Sequence, residues 1–275
     1  MDDREVARYW DENAPEWTEA VRAGFDVYRD YVNNPAFFDL LGPVAGLRLL
    51  DVGCGEGTNT RKLAELGAQV VGVDVSEVMI AAARRQEGER RLGIEYHVAS
   101  GNDLRCFGDK FFDGAVSTMA LMDMADYAGC VREVARVVKP GGSFQFSVSH
   151  PCTMTALWRW IKDEEGRRLG VLVGNYFGLA SGRPEDRVDE WFFGAAPPEV
   201  RARARKFRIP RFSRTLAEYF NTLTASDFVV ERLTEPFADE RAAEACPDVA
   251  DTRIVPYFLV FRCRLGQGDG DSCRE

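Results

Sequence analysis

The chain has 275 residues, enough for one large domain or for one domain with a sizeable insertion, and its formal net charge of −9 disfavours a general polyanion-binding protein. It is 45% hydrophobic and 29% charged, and no apolar run approaches the roughly 20 residues that a membrane-spanning helix needs. The acidic start lacks the order of a secretory signal, and the seven cysteines form no Cys-x-x-Cys pair. We therefore expect a cytoplasmic protein with reduced thiols, no disulfide framework and no metal site.

The first half of the chain indicates a helical cap followed by a parallel sheet. Residues 1–45 carry aromatic residues at helical spacing, with a predicted break at Asn33-Asn34-Pro35. Over residues 46–150, short apolar runs alternate with longer helical stretches, which is typical of a parallel sheet covered by helices. The predicted strands are 47–52, 69–74, 94–98, 113–118 and 143–149, and the predicted helices are 58–66, 76–90 and 125–138.

In the second half this alternation fails and then resumes. Residues 151–212 mix aromatic residues with arginines and prolines, so we predict an insertion that forms a lid over one edge of the sheet. Residues 213–265 are predicted to complete the core with a helix at 213–225 and strands at 228–234 and 253–262. The polar residues 266–275 are expected to form a flexible tail. The expected fold is a doubly wound, Rossmann-like α/β sheet of seven strands with a helical N-terminal cap and a lid after the fifth strand.

A glycine-rich turn follows the first predicted strand and leads directly into a helix. It reads Asp51-Val52-Gly53-Cys54-Gly55-Glu56-Gly57. Glycines let the backbone turn sharply and let a ligand approach it, and the free amides at the start of a helix attract polar ligand groups. Asp74 ends the next predicted strand, where a carboxylate can accept hydrogen bonds from ribose hydroxyls. Together these features indicate an adenosine-type cofactor across the strand ends.

The spacing of the glycines decides between two kinds of cofactor. The dinucleotide fingerprint Gly-x-Gly-x-x-Gly, counted from Gly53, requires glycine where this chain has Thr58. Asp51 would repel a pyrophosphate, whereas it could face the ammonium group of a methionine moiety. A cationic cofactor therefore fits better than a polyanionic one.

Three stretches, 49–57, 71–76 and 132–142, resemble the class I S-adenosylmethionine-dependent methyltransferases of the small-molecule type. The last of them reads Arg132-Glu133-Val134-Ala135-Arg136-Val137-Val138-Lys139-Pro140-Gly141-Gly142. The resemblance implies S-adenosylmethionine as cofactor and S-adenosylhomocysteine as product. From the turn and the resemblance together, the expected cofactor-binding residues are Asp51, Gly53, Gly55, Gly57, Asp74, Val75, Asn102, Asp103, Leu104, Met119, Trp10 and Trp17.

The chain departs from the family at two places. Many relatives have a histidine after the fourth strand, where this chain reads Ala120-Leu121-Met122-Asp123-Met124. Relatives also commonly have an acid where Ser100 stands, which leaves the contact on the adenine side to Asp103 or to the backbone.

Two residues are candidates for a catalytic base. His150 leads, because it ends the fifth predicted strand at the edge where ligands bind and an imidazole can accept a proton near neutral pH. It could instead only hydrogen-bond the loop backbone before Pro151. Asp123 is the second candidate, and it is equally consistent with an ordinary helix N-cap.

Three functions remain open at this point. The leading one is methylation of an oxygen, nitrogen or carbon of a small molecule. An RNA methyltransferase acting on tRNA is supported only by the basic run 201–211, and a non-catalytic S-adenosylmethionine-binding protein is the third alternative. The aromatic residues of the insertion favour an apolar or aromatic acceptor, and the basic run favours an anionic one. The N-terminal segment could close over its own site or over that of a second copy, which leaves an oligomer open.

Overall fold

The computed structural model describes residues 1–178 and 186–267. The predicted tail at 266–275 lies outside the described residues from residue 268 onward, and residues 179–185 of the predicted lid also lie outside them. The strands of the described part are β1 (Arg48–Val52), β2 (Gln69–Asp74), β3 (Glu95–Val98), β4 (Phe112–Thr118), β5 (Val138–Ser149), β6 (Leu157–Lys162), β7 (Arg168–Gly174), β8 (Asp186–Trp191), β9 (Phe207–Phe212), β10 (Phe228–Thr234) and β11 (Phe258–Leu265).

The α-helices lie between these strands and at the start of the chain. They are α1 (Asp3–Arg22), α2 (Asn34–Leu41), α3 (Thr58–Glu65), α4 (Glu77–Arg90), α5 (Tyr127–Val137), α6 (Pro198–Arg201), α7 (Leu216–Ala225) and α8 (Glu240–Ala245). A π-helical turn at Arg29–Asn33 leads into α2, and 3₁₀ turns form at Leu121–Asp123 and Pro247–Arg253.

Seven strands form one sheet in the order β3-β2-β1-β4-β5-β11-β10. The first five of this order run parallel, and β11 pairs antiparallel with both β5 and β10. The predicted seven-stranded, Rossmann-like α/β fold is confirmed. Because β1 lies between β2 and β4, the chain reverses its direction of winding there, and ligands bind at this point in such sheets.

Different helices cover the two faces of the sheet. On one face, Val134 of α5 and Leu223 of α7 pack in a core with Leu50 and Phe146. On the other face, residues of α2, α3 and α4 pack against Leu49. Successive side chains of a strand point to opposite faces, so the neighbours Leu49 and Leu50 enter different cores. Burial on both faces explains why the strand sequences are almost continuously apolar.

Two local predictions were wrong. The break expected at Asn33-Asn34-Pro35 is absent, since helical backbone runs through it into α2, where a proline in the first turn has no hydrogen bond to lose. The chain turns instead after α1, with Gly24 at φ +77°. The strand expected at 253–262 begins only at Phe258, because the Pro247–Arg253 segment forms a 3₁₀ turn.

Helix α1 and two hairpins lie over the carboxyl ends of the central strands. Strand β6 pairs with β7, and β8 pairs with β9. Asp11 of α1 accepts hydrogen bonds from Ser76 Oγ at 2.6 Å and from the N–H of Val78 at 3.2 Å, which fixes α1 to the start of α4. Ser76 also caps α4 by accepting from the N–H of Met79. In residues 1–178 and 186–267, no helix combines the length and apolar character needed to cross a membrane.

Candidate functional site

A cavity of about 1050 Å³ lies at the carboxyl ends of the parallel strands. Its walls come from α1, from the loop after β1, from the ends of β2 and β4, and from both hairpins. Ligand pockets commonly measure about 300–1,000 Å³, so this space is large enough for a nucleoside cofactor together with a small acceptor.

The glycine-rich turn forms one end of the cavity. Gly53, Gly55 and Gly57 have φ angles of +74°, +56° and +86°, which favour glycine. Gly53 donates its N–H to the Val73 carbonyl at 2.8 Å, and a Cβ there would collide with Ala120. A Cβ on Gly55 would meet nothing within 4 Å, so the backbone is open to a ligand there. Gly53 and Gly55 line the cavity, whereas Gly57 starts α3 and does not.

Two buried carboxyl groups flank this turn. Burial raises the pKa of Asp51 to about 7, against the effect of a 2.7 Å hydrogen bond from Thr60 Oγ1, and the charge of Asp74 raises it further. The Asp74 carboxyl group accepts from the N–H groups of Gly55 and Ser76, each at 2.9 Å, and burial raises its pKa. Both acids line the cavity. They suit a ligand that carries a positive charge and hydroxyl groups.

The residues predicted to border an adenine are placed elsewhere. None of Asn102, Asp103 and Leu104 lines the cavity. Asp103 forms two 2.7 Å hydrogen bonds with Arg105 at the surface, and Leu104 is fully buried in the core. That prediction needs correction: the structure puts the preceding residues, 99–101, at the cavity instead. The loop turns inward directly after β3, and this turn is not visible in the residue pattern.

Ser100 acquires an acidic neighbour from a distant part of the chain. Its Oγ donates to Asp3 Oδ2 at 2.9 Å, and both residues line the cavity. Asp3 belongs to the first turn of α1. Its carboxylate therefore lies beside Ser100, the position at which relatives commonly have an acid. Because 97 positions separate the two residues, sequence analysis did not pair them.

The remaining predicted cofactor residues, Val75, Met119, Trp10 and Trp17, all line the cavity. Met119 follows β4 with φ +56°, held by a 3.0 Å hydrogen bond from its N–H to the Ser147 carbonyl. The centroids of the Trp10 and Trp17 rings lie 5.1 Å apart. Trp17 also contacts three rings of the β8–β9 segment, with centroid distances of 4.9–5.7 Å, namely Trp191, Phe193 and Phe207.

His150 directly follows β5 but does not line the cavity. Its Nε2 lies 2.7 Å from Glu235 Oε1, and its Nδ1 accepts from the N–H of Cys152 at 3.3 Å. A ring nitrogen that accepts a hydrogen bond carries no proton, so Nε2–H donates to Glu235 and both nitrogens are engaged. This geometry argues against His150 as the base and agrees with the alternative of a residue that binds the loop backbone.

Asp123, the second candidate for the base, does line the cavity, as had been expected of His150. It is buried in the 3₁₀ turn after β4. The helix N-cap is Asp126, not Asp123, because Asp126 Oδ1 accepts from the N–H of Gly129 at 2.7 Å. Burial raises the pKa of Asp123 to about 7, while the charges of Arg211 and Arg214 lower it. The group is therefore able to change its protonation state near neutral pH.

Arg211 lies beside Asp123 and was missed as a site residue. Its Nε is 3.9 Å from Asp123 Oδ1 and 3.6 Å from Asp189 Oδ2, and its Nη1 donates to Ser149 Oγ at 2.9 Å. Both Asp123 Oδ1 and Arg211 Nε are buried without a hydrogen bond in the described structure. A donor and an acceptor thus face each other across a gap that a polar group of a ligand could bridge.

Two residues of the basic run 201–211, Arg205 and Arg208, connect the lid to α1, and Lys206 pairs within the lid. Arg205 contacts the carbonyl of Glu12, Arg208 Nη1 lies 3.9 Å from the Glu12 carboxylate, and Lys206 Nζ lies 3.2 Å from Glu190 Oε2. These partners are acidic or carbonyl groups of the chain itself. The pairing does not favour the RNA alternative, since these charges already have partners within the protein.

The aromatic residues of the insertion reach the cavity. Five aromatic residues of the predicted insertion line it: Trp158, Trp160, Trp191, Phe192 and Phe193. The structure adds residues that sequence analysis missed, because they come from segments far apart in the chain: Tyr28, Arg168, Asp251 and Tyr257. In residues 1–178 and 186–267, no group of three or more His, Cys, Asp or Glu side chains is arranged to hold a metal ion.

Comparison with known proteins identifies similar enzymes. The family profile described as a methyltransferase domain matches residues 50–146. A solved S-adenosylmethionine-dependent methyltransferase from Mesorhizobium loti is 31% identical, with a TM-score of 0.67, and the match covers 84% of this chain and 96% of that one.

Two curated relatives match the core. A ubiquinone biosynthesis O-methyltransferase of Xanthomonas oryzae is 35% identical over 140 residues, which is 51% of this chain and 55% of the relative. A demethylmenaquinone methyltransferase of Tropheryma whipplei is 39% identical over 113 residues, or 41% and 46% of the two chains. The chain thus spans about half the length of the curated relatives it matches.

Proposed function

Since this chain belongs to the S-adenosylmethionine-dependent methyltransferases, we propose that it transfers a methyl group from S-adenosylmethionine to a small-molecule acceptor. One observation carries the proposal. A single cavity is lined both by the glycine-rich turn with Asp74 and by the aromatic residues of the insertion. Cofactor and acceptor bound there would be held together and shielded from water, which favours group transfer between them.

The residues present fit S-adenosylmethionine. The backbone at Gly55 is open to a ligand, and Asp51 offers a buried negative charge to the ammonium group of the methionine moiety. Asp74 stands at the end of β2, where it can accept from ribose hydroxyls. The Asp3 carboxylate beside Ser100 can accept from an exocyclic amine at the adenine end. These contacts support the cofactor residues expected from the sequence, with Asp3 and Ser100 in place of Asn102 and Asp103.

The protein's part in the reaction is to place the acceptor and to take its proton. When bound, S-adenosylmethionine supplies a methyl group on a positively charged sulfur, which an acceptor attacks in line, leaving S-adenosylhomocysteine. Asp123 accepts the acceptor's proton on Oδ1, the oxygen that lacks a hydrogen bond. Arg211, 3.9 Å away, provides a positive charge beside the acceptor oxygen as its proton leaves.

A hydroxyl is the acceptor group that the name of one curated relative favours. The Xanthomonas relative is named as an O-methyltransferase of ubiquinone biosynthesis, and its similarity to this chain is restricted to about half of either protein. We propose that residues 1–45 and 151–212 act as cap and lid over the core, since α1 and both hairpins contribute to the cavity wall. A cytoplasmic location and a possible oligomer through the N-terminal segment stay predictions from the sequence.

The decisive experiment combines cofactor binding with a search for the acceptor. Purified protein is titrated calorimetrically with S-adenosylhomocysteine and then incubated with methyl-labelled S-adenosylmethionine and fractions of small metabolites. We expect saturable heat and a labelled product that mass analysis identifies as a methylated small molecule. An Asp74→Ala variant serves as the control, since it should bind the cofactor more weakly and therefore reduce both signals. No heat with S-adenosylhomocysteine, combined with saturable binding of a nicotinamide dinucleotide, would refute the proposal.

A further inference from the structure

One end of the cavity combines aromatic rings with a buried carboxyl group. We call it the aromatic end and define it by Tyr28, Trp158, Trp160, Arg168, Asp251 and Tyr257, all of which line the cavity. The rings come from the segment before α2, from β6 and from the residue before β11. The Trp158 centroid lies 5.4 Å from that of Trp160 and 6.4 Å from that of Tyr257, with interplanar angles of 76° and 77°. The rings thus present edges and faces to the space between them.

The two oxygens of Asp251 differ in their surroundings. Oδ2 accepts from Arg168 Nη1 at 2.6 Å, from the Tyr257 hydroxyl at 2.8 Å and from the Tyr28 hydroxyl at 3.0 Å. Oδ1 is buried and accepts no hydrogen bond, although the residue is only 6% exposed. Three donors hold the carboxyl group in one orientation and leave one acceptor unused. Buried polar atoms normally have partners, so an unused one in the wall of a cavity points to a ligand.

A second unpartnered atom belongs to the same end of the cavity. The indole nitrogen Nε1 of Trp158 is buried and donates to no atom of the described structure. The aromatic end therefore offers one acceptor, Asp251 Oδ1, and one donor, Trp158 Nε1. A hydroxyl group suits either atom, because it can donate one hydrogen bond and accept others.

The charges at the aromatic end decide which ligand suits it. Arg168 neutralises Asp251 through a 2.6 Å contact and also lies 4.6 Å from the centroid of the Trp160 ring. Nearby on the cavity wall, Asp26 and Arg29 face each other at 3.9 Å. Burial raises the pKa of Asp26 to about 6, which Arg29 opposes. Arg29 also pairs with Asp30 at 2.8 Å, but Asp30 does not line the cavity. The four groups that do line this part of the cavity carry two charges of each sign at neutral pH, so a neutral ligand needs no further counter-charge there.

The aromatic end also adjoins the place of transfer. Met119, expected next to the methionine moiety, packs on the same apolar cluster as Tyr28 and Tyr257. Phe258, the residue after Tyr257, pairs with Ser149, to which Arg211 donates. A ring lying against Trp158 and Tyr257 would therefore extend toward Asp123 and Arg211.

We propose that the aromatic end is the acceptor-recognition subsite, and that it takes a neutral aromatic ring carrying a hydroxyl group that donates to Asp251 Oδ1. This inference rests on the proposed methyltransferase function and specifies its acceptor as a phenol-like compound. The hydroxyl bound at Asp251 is a different group from the one that is methylated, so it orients the acceptor and is not itself altered. The ring faces supply apolar contact, and Asp251 with Trp158 supplies selectivity for the hydroxyl.

The test uses matched ring probes on the full chain saturated with S-adenosylhomocysteine. Phenol, fluorobenzene and benzylamine are titrated while the indole N–H signals of ¹⁵N-labelled tryptophan are followed by NMR, and Trp158→Phe identifies the Trp158 signal. Phenol should shift that signal and bind at least about tenfold more tightly than fluorobenzene, the loss expected for one hydrogen bond to a charged group. Benzylamine should bind more weakly than phenol.

Asp251→Asn changes the hydrogen bonding of this subsite at nearly constant shape. Its amide oxygen can keep the three donors, while the amide nitrogen in place of Oδ1 donates and no longer accepts. We expect the preference for phenol over fluorobenzene to fall about tenfold. Ile161→Ala is the control and should change nothing, because Ile161 is an exposed residue of β6, the strand that carries Trp158. If Asp251→Asn lowers the melting temperature, Trp158→Phe provides the comparison. It removes the donor together with part of the ring surface, so it should lower the preference for phenol over fluorobenzene and not only the affinity for both.

The outcomes separate this inference from the proposed function. Equal binding of phenol and fluorobenzene, or stronger binding of benzylamine, overturns the phenol-like subsite even if the protein binds S-adenosylhomocysteine and methylates another compound. A shift of the Trp158 indole N–H signal together with selective phenol binding supports the subsite even if no methyl transfer is found.

Discussion

Replacing Asp123 with asparagine tests the proposed base directly. The pKa of this carboxyl group is raised to about 7 by burial, so about one group in eleven is ionised at pH 6 and about ten in eleven at pH 8. Only the ionised form accepts a proton, and kcat of the native protein should therefore rise about tenfold between these pH values. General bases contribute about 10²- to 10⁴-fold to a rate, and Asp123→Asn should lose a factor in this range and the pH dependence with it.

The assay is release of S-adenosylhomocysteine at saturating cofactor and acceptor between pH 6 and pH 9. Affinity for S-adenosylhomocysteine, measured separately, should not change in the variant. Asp109→Asn is a matched control, since this carboxyl group is 69% exposed and pairs with Arg136 away from the cavity. A variant that keeps full turnover, with the same rise across neutral pH, would remove Asp123 from the mechanism.

The neighbours of Asp123 provide a second check on the same reasoning. The positive charge of Arg211 lowers the pKa of Asp123, and the negative charge of Asp189 raises it. Arg211→Gln should therefore move the midpoint of the pH profile upward, and Asp189→Asn should move it downward. Shifts in the opposite directions would show that another group controls the profile.

Three further predictions concern the glycine-rich turn and the two buried acids that flank it. Asp74→Ala should weaken S-adenosylhomocysteine binding about tenfold to a hundredfold in calorimetry. The substitution removes the carboxyl group that accepts hydrogen bonds from two loop N–H groups and would accept them from the ribose hydroxyls. Unchanged affinity would contradict this role. Affinity for S-adenosylmethionine should rise as pH increases through about 7, since Asp51, with its pKa raised by burial, becomes negative there, and Asp51→Asn should flatten this dependence. Gly53→Ala should lower the melting temperature more than Gly55→Ala, because only at Gly53 would the new Cβ collide with Ala120; equal melting temperatures would speak against the packing described.

Much of the fold was predictable because its determinants are local. Strands buried on both faces need continuous apolar runs, and the buried strand β2 was predicted to the residue on that basis. The edge strand β10, which is largely exposed, was also predicted to the residue. The errors came where local patterns mislead. Pro35 was predicted as a break, yet proline is compatible with the first turn of a helix.

The cofactor end was also predictable in part, since the glycine-rich turn and Asp74 belong to one strand–helix–strand unit. Their spacing along the chain therefore indicates their placement in space. Residues 102–104 were misplaced because the course of the loop after β3 depends on how α5 packs against it, with Leu104 N–H bound to Glu133. The sequence pattern carries no information about this contact.

The arrangement of the aromatic end and of the residues around Asp123 was decided by the tertiary structure. Asp251 acquires its orientation from Tyr28, Arg168 and Tyr257, of which the first two are 223 and 83 positions away. Asp123 became the stronger base candidate because Arg211 lies beside it and because both nitrogens of His150 are engaged. The sequence by itself determined the class of fold, the cofactor turn and the chemical family, since these depend on residues close together in the chain. Which side chains converge on the acceptor depends on long-range packing, and only the folded chain determines that.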